Sequence, residues 1–156
     1  MQLGQLLTTD NILLDQPLID ADAVLGRLAG HYADRLVDRD SDQLHQLLRK
    51  RERTGSTALG AGVAIPHARL ASDFSPRALF LRSSTPVPFE APDGHPVDLF
   101  FSLLVPEHAT DQHLEWLSEI AELCSNDSAC AALRAARTPQ QIRTVLVDYL
   151  GRDGHS

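Results

Sequence analysis

The sequence predicts an α/β sandwich that forms a single domain over residues 1–156. Helical and strand patterns alternate along the chain without repeats or low-complexity linkers, which is typical of a sheet covered by helices. The segment 97–105 is almost entirely apolar, which indicates a central strand buried on both faces. A chain of 156 residues is also long enough to enclose one hydrophobic core.

The first third of the chain predicts a short strand at 12–14 followed by two helices. The first helix is expected to begin at a cap on Asp20 or Asp22 and to reach about Val37. The second is expected to begin at Ser41 or Asp42 and to reach about Arg53. The apolar residues at helical spacing, which should face the core, are Leu25, Leu28, Ala29, Tyr32 and Leu36, then Leu44, Leu47 and Leu48.

The next segment, 51–70, passes from charged residues through three glycines into an apolar run. Gly55, Gly60 and Gly62 allow tight turns or a close approach of the backbone. The run 63–65 suits a short buried strand, and Pro66 should end it because proline cannot donate to a sheet ladder. His67 is therefore predicted at a strand end, where a neutral imidazole can act as nucleophile, general base or metal ligand. A loop histidine without a role is the competing interpretation.

The second half of the chain predicts strands at 78–81 and 97–105, with a hairpin-type turn at Asp93-Gly94 between them. Pro86 and Pro88 should keep the piece before that turn extended and irregular. Three helices follow. Their predicted starts are Thr110 or Asp111, then Asp127 or Ser128, then a capping box at 138–141, and the last helix should stop at Gly151. The residues expected to face the core from the first and last are Leu114, Leu117, Ile120, Ala121 and Cys124, then Ile142, Val145, Leu146 and Tyr149.

Composition excludes several function classes. The net charge is −7 and no basic cluster occurs, so no nucleic-acid partner is expected. No apolar run approaches the roughly 20 residues of a membrane helix, and the N-terminus lacks a secretory signal, so we expect a cytoplasmic protein without membrane insertion. Cys124 and Cys130 have no companion pair at zinc spacing, and both should be reduced apolar residues in helices.

Two stretches carry a recognisable order of motifs. The first has Arg51-Glu52, a Gly-Ser-Thr segment at 55–57, two separated glycines, and an apolar strand ending in Pro66-His67. In the second, an apolar strand ends in Val105-Pro106 and His113 opens the next helix. Together they resemble the signatures of the type-2 IIA family (fructose/mannitol-type) of the bacterial phosphotransferase system, nearest to its nitrogen-regulatory branch. The likeness spans about 3–150, and it departs from the family pattern at Ala58 and Ala61.

The resemblance implies a central mixed β-sheet flanked by helices on both faces, within one domain. It implies that His67 accepts a phosphoryl group, on the Nε2 (tele) nitrogen, from an HPr-like phosphocarrier protein (NPr). Regulatory target proteins would respond to the phosphorylation state. No cofactor and no metal ion are expected.

Three further residues are predicted at this site. Arg51 offers a planar fork for bidentate phosphate contact, although a cation at a helix C-terminus also suits the helix dipole, as for Lys50 and Arg53. Thr57 could donate its hydroxyl hydrogen to phosphate or stabilise a turn. His113 matches the second histidine of the family, in a first helical turn that favours an anion. Glu52 and Asp98 could orient a histidine or, more commonly, pair with an arginine. The remaining histidines are expected at the surface: His31, His45, His95, His108 and His155.

Three alternatives stay open. A sugar-specific IIA component would pass its phosphate to a IIB domain instead of regulating targets. A metal-dependent hydrolase could use His67, His108 and His113, although no HExxH motif or carboxylate cluster accompanies them. A third class is an interaction domain that is no longer phosphorylated.

Overall fold

A six-stranded mixed sheet forms the centre of the computed structural model, which describes residues 3–71, 75–108 and 110–153. The strands are β1 (Ile12–Gln16), β2 (Ala58–Gly60), β3 (Val63–Ala64), β4 (His67–Leu70), β5 (Arg77–Val87) and β6 (Val97–Pro106). The order is β1-β5-β6-β3-β2, and β4 also pairs with β6. Strand β6 is parallel to β3 and β4 and antiparallel to β5, so the expected mixed sheet is confirmed.

Helices cover both faces of this sheet. They are α1 (Leu3–Leu6), α2 (Ala21–Arg35), α3 (Ser41–Thr54), α4 (Thr110–Cys124), α5 (Asp127–Ala135) and α6 (Pro139–Asp153), with a 3₁₀ turn at Thr9–Asn11. One buried cluster joins Phe101 to α1, α4, α5 and α6, and the other joins Phe100 to α2 and α3. Neighbouring residues of β6 thus enter opposite cores, which confirms a central strand buried on both faces.

Helix boundaries follow the sequence signals with small differences. Asp20 caps α2 as predicted, since its Oδ1 accepts a hydrogen bond from the N–H of Ala23 at 2.8 Å. In two other helices the capping position falls one residue before the predicted ones. These positions are Asp40, whose side chain makes no capping bond, and Asn126, whose Oδ1 accepts from the N–H of Ala129 at 3.1 Å. Adjacent short polar residues compete for a cap, so spacing alone did not select among them.

The last helix begins as predicted and ends later. Thr138 Oγ1 accepts from the N–H of Gln141 at 3.2 Å, and Gln141 Oε1 accepts from the N–H of Arg137 at 2.6 Å. Helix α6 continues through Gly151 to Asp153, because a glycine lowers helix stability without preventing the helical conformation. Helix α2 ends at Arg35, short of the predicted Val37. In the described part of the chain, no helix is long and apolar enough to cross a membrane.

Helix α4 is rotated relative to the prediction. Leu114 is 58% exposed and Ala121 is also exposed, whereas Trp116 and Leu123 are buried in the core. The prediction placed Leu114 and Ala121 toward the core, but the bulkier indole side chain of Trp116 takes the interior position. Leu114 and Ala121 are left on the surface beside His67.

The segment around Pro66 differs from the predicted single strand. Strand β3 ends at Ala64, and the chain pairs again with β6 from His67 onward, so His67 begins a strand instead of following one. Proline has no N–H to donate, but its carbonyl accepts from the N–H of Leu103 at 3.2 Å and keeps the chain in register. Strand β2 was not predicted, because its sequence is short and glycine-bounded.

The turn between β2 and β3 depends on left-handed backbone conformations. Gly60, Ala61 and Gly62 have φ angles of 97°, 55° and 78°. A Cβ at Gly62 would lie 3.0 Å from Asp98 Oδ1 and collide with the guanidinium of Arg134, which pairs with that carboxylate. Glycine at 62 is thus required by both conformation and space.

We expect Gly62→Ala to lower the free energy of unfolding by about 1–3 kcal/mol, through left-handed strain and displacement of the Arg134–Asp98 pair. Urea denaturation at neutral pH measures the change. Gly30→Ala is the matched control: nothing lies within 4 Å of a Cβ at that position in α2, so it should be neutral or stabilising by up to about 1 kcal/mol. Equal stabilities of the two variants would contradict this account of the turn.

Candidate functional site

His67 projects from the start of β4 with one ring nitrogen already engaged. Its Nδ1 lies 2.7 Å from the carbonyl oxygen of Ile65, two residues earlier. A carbonyl oxygen can only accept, so Nδ1 carries the hydrogen and Nε2 of the neutral ring keeps its lone pair. The side chain is largely buried, with 8% exposed. The fold therefore gives His67 a defined tautomer with a bare Nε2.

His113 comes from the first turns of α4 and lies against His67. The ring centroids are 5.1 Å apart, and Nδ1 of His113 is 3.5 Å from Nη2 of Arg69. Because a guanidinium only donates, this contact favours the tautomer with hydrogen on Nε2. That Nε2 is buried and has no hydrogen-bond partner among the described residues. A buried unsatisfied donor calls for an acceptor that the protein itself does not supply.

Arg51 approaches the same site from the last turn of α3. Its Nη1 donates to the carbonyl of Gly55 at 2.8 Å, which fixes one edge of the guanidinium. Four further N–H donors belong to that group, and it lines the cavity that contains His67. The side chain is half-buried, so the charge acts at short range with limited screening.

Thr57 also lines this cavity, but its hydroxyl is engaged elsewhere. The hydroxyl donates to Oε1 of Glu52, and the N–H of Thr57 donates to Oε2 at 3.2 Å. A threonine has a single hydroxyl hydrogen, so donation to a phosphate would require this bond to exchange. The predicted phosphate contact of Thr57 stays a prediction, and its turn-stabilising role is the one visible in these contacts.

Arg69 was not among the residues predicted at this site. Along a strand, residues two apart point to the same face, and that periodicity could have placed Arg69 beside His67. With Arg51, it brings two guanidinium groups to the pair of histidines. Such a concentration of positive charge and N–H donors suits an anion with several oxygens.

Both histidines are held in the neutral form. Burial is the main cause that lowers the pKa of His67, and Arg51 and Arg69 lower it further, against the opposing effect of the Ile65 hydrogen bond. Burial, followed by His67, Arg69 and Arg51, lowers the pKa of His113 to about 4. Near pH 7 the site therefore holds two neutral imidazole rings next to fixed positive charge.

Apolar side chains surround the mouth of the cavity. We call this group the apolar rim: Leu59, Leu114, Leu117 and Ala121. Leu59 is 41% exposed and Leu114 is 58% exposed, unusual values for large aliphatic residues around a polar site. A surface of this kind can be covered by a partner protein, which would exclude water from the histidines.

Other predicted residues lie outside this group. His95 and His108 are exposed as expected, whereas His31 was predicted at the surface and is buried at 5% exposure, because it continues the inward stripe of α2. His45 is half-buried and lies 3.1 Å from a carboxylate oxygen of Asp22. His155 falls outside the described residues.

The remaining charged and sulfur-containing residues have structural surroundings. Asp98 pairs with Arg134 at 2.9 Å, as the commoner interpretation held. Lys50 and Arg53 are exposed on α3, and Cys124 and Cys130 are buried free thiols in helices. Within the described ranges, no three His, Cys, Asp or Glu side chains form a group that could hold a metal ion.

Comparison with known proteins adds independent information. The family model of the phosphoenolpyruvate-dependent sugar phosphotransferase system, EIIA 2, matches residues 5–149. A nitrogen regulatory protein of Pseudomonas aeruginosa is 40% identical over 95% of this chain and 96% of its own. A fructose-specific EIIABC component of Bacillus subtilis is 31% identical over 94% of this chain but only 23% of its own. The crystal structure of nitrogen regulatory protein IIA-Ntr from Neisseria meningitidis superposes with a TM-score of 0.86, 36% identity, and coverage of 92% of this chain and 98% of that one.

We expect the ring of His113 to take up a proton only near pH 4, as followed by ¹⁵N NMR titration. In the unfolded chain the same ring binds a proton near the ordinary value of 6.5, so the unfolded state holds more protons between these values. The stability that neutral His113 contributes is fully present above pH 6.5 and is lost as pH falls through 4. His113→Gln, which cannot titrate, should flatten that part of the stability curve. Titration of His113 near 6.5 would contradict the buried, cation-flanked geometry.

Proposed function

The chain belongs to the EIIA 2 family of the phosphoenolpyruvate-dependent sugar phosphotransferase system, and from that premise we propose that it carries a phosphoryl group on Nε2 of His67. The observation that carries the proposal is the bond from Nδ1–H of His67 to the Ile65 carbonyl, which leaves the lone pair of Nε2 free in a cavity that Arg51 also lines. The chain is strongly similar to nitrogen regulatory proteins over nearly its full length. It is therefore a phosphotransferase-system component of the nitrogen-regulatory type.

The transfer step follows from this tautomer. The Nε2 lone pair of His67 forms a new N–P bond as the N–P bond of a donor phosphohistidine breaks. The electron pair of the broken bond stays on the donor imidazole, whose other nitrogen keeps its hydrogen, so the donor leaves as a neutral ring and the phosphoryl group changes carrier without a change in its own charge. Little proton movement is needed, so placement and charge neutralisation dominate the barrier.

The surrounding groups suit the three phosphoryl oxygens. Arg51 supplies a planar fork, and Arg69 lies on the same strand face as His67. The orphaned Nε2–H of His113 gains an acceptor when phosphate is present, which removes an unfavourable buried donor. We therefore assign phosphate binding to Arg51, Arg69 and His113, with His67 as the nucleophile.

The chemistry of the surface supports the proposed partners. The apolar rim gives a phosphocarrier a dry contact around His67, and we propose an HPr-like protein (NPr) as the phosphate donor. Regulatory targets would bind the same face, and we place these encounters in the cytoplasm, where phosphoenolpyruvate is produced. Phosphorylation adds about −1.5 to −2 charges next to the rim, so it should release most targets.

His67→Ala should abolish phosphorylation, because it removes the ring whose bare Nε2 lies in the cavity, whereas the bare Nδ1 of His113 is engaged by Arg69. The protein is incubated with phosphoenolpyruvate and the general phosphotransferase proteins, including an HPr-like carrier, and an acid-labile mass increase of one phosphoryl group is followed. His108→Ala, which alters an exposed histidine, is the control and should label normally. Labelling that survives in His67→Ala would refute the assignment.

The same preparation separates regulation from sugar transport. Phosphorylated protein is mixed with a fructose-type IIB domain, the acceptor expected of a transport component. Retention of the phosphate, with target proteins bound by unmodified protein alone, supports the regulatory function. Rapid transfer to the IIB domain, with identical partners for both forms, would favour the transport alternative.

Arg51→Lys should slow phosphorylation by about ten- to a hundredfold, because the positive charge remains but the bidentate fork is lost. Arg53→Lys is the matched control, since Arg53 is exposed two residues further along α3. Single-turnover phosphorylation rates and melting temperatures are compared. Equal rates for the two variants would show that Arg51 does not act in phosphoryl transfer. A lower melting temperature in Arg51→Lys alone would show that Arg51 serves to stabilise the fold through its hydrogen bond to Gly55.

A further inference from the structure

A continuous series of hydrogen bonds leads from α3 to the ring of His67. The carboxylate of Glu52 accepts both the hydroxyl and the N–H of Thr57. The carbonyl of Thr57 accepts from the N–H of Ile65 at 3.1 Å. The carbonyl of Ile65 accepts from Nδ1–H of His67 at 2.7 Å. Each hydrogen bond in this series holds in place the residue that makes the next one.

We propose that Glu52 is a positioning residue that sets the tautomer of His67 through Thr57 and Ile65. The inference rests on the proposed function for its importance to transfer, but its structural content concerns the unphosphorylated protein alone. Glu52 does not contact the phosphoryl group. It determines which nitrogen of His67 is available to accept one.

The two oxygens of a carboxylate match the needs of Thr57. Thr57 offers two donors, its N–H and its hydroxyl, to the one carboxylate. Thr57 itself is only 7% exposed, so water cannot easily replace a lost partner. Burial raises the pKa of Glu52 above its ordinary value, and the hydroxyl and N–H of Thr57, together with Arg51, offset only part of that rise. The carboxylate and the threonine thus stabilise each other in the position seen here.

Loss of Glu52 should propagate in a defined order. Thr57 would be left with two buried donors, which costs about 1–3 kcal/mol per unsatisfied group unless the segment moves. Movement of Thr57 removes the acceptor of the Ile65 N–H and displaces the Ile65 carbonyl. His67 Nδ1–H then has no fixed acceptor, so the ring can turn or move its hydrogen to Nε2. Arg51, the neighbour of Glu52, donates to the carbonyl of Gly55, so residues 51 and 52 both hold the loop 55–57.

A residue that merely stabilised the turn would change melting temperature and nothing else. The decisive readout is therefore the ¹⁵N chemical shift pair of the His67 ring in unphosphorylated protein at neutral pH. Wild type should show hydrogen on Nδ1 and a bare Nε2. Glu52→Ala should show a large fraction with hydrogen on Nε2 and a phosphorylation rate lower by about 10-fold.

Conservative variants sharpen the test. Glu52→Gln should retain the wild-type tautomer, because its amide oxygen accepts the Thr57 N–H while its NH₂ donates to the hydroxyl. Glu122→Ala, which removes an exposed carboxylate from α4, is the charge control and should leave the ring unchanged. If Glu52→Ala does not fold, Thr57→Val replaces it: loss of the hydroxyl link should raise the fraction with hydrogen on Nε2 above wild type.

Wild-type ring shifts in folded Glu52→Ala, or in Thr57→Val if that variant is used, would overturn the inference while leaving phosphorylation of His67 intact. Failure of wild-type protein to accept phosphate would refute the proposed function instead, and the ring shifts would still decide the role of Glu52.

Discussion

The hydrogen bond between Nδ1–H of His67 and the carbonyl of Ile65 is the interaction on which the rest of the site depends. It exists because Pro66 interrupts the strand: β3 ends at Ala64 and pairing resumes at His67, so the Ile65 carbonyl turns away from the ladder. A regular strand would have used that carbonyl for sheet pairing and left the imidazole free to adopt either tautomer. A local break in the sheet thereby gives His67 a single tautomer with its lone pair on Nε2.

The fold positions the remaining groups around that nitrogen from both layers of the sandwich. Strand β6 is buried on both faces and pairs with β3 and β4, and this pairing fixes the register of His67 opposite Leu103. Helix α3 brings Arg51 and Glu52 from one layer, and α4 brings His113 from the other. Burial and the nearby guanidinium groups of Arg51 and Arg69 then lower the histidine pKa values and prepare the cavity for an anion. The charge and shape of the cavity and the tautomer of His67 thus follow from the end of α3, the start of β4 and the first turns of α4.

Sequence reasoning predicted what depends on pattern and missed what depends on side-chain contact. The fold class and the buried central strand followed from the apolar pattern, and the meeting of Arg51, His67 and His113 followed from the family resemblance. The engagement of the Thr57 hydroxyl by Glu52 could not follow, because it requires a rotamer and a loop path. The outward face of α4 was misassigned since a bulkier side chain takes the interior position, and the burial of His31 was missed since histidine is polar.

The position of the phosphorus atom tests the central claim most directly. Protein labelled with ¹⁵N at histidine is phosphorylated by its carrier, and ¹⁵N–³¹P coupling is measured by NMR. The account predicts coupling to Nε2 of His67, with the hydrogen still on Nδ1 facing Ile65. Coupling to Nδ1 of His67, or to a nitrogen of any other histidine, would contradict it.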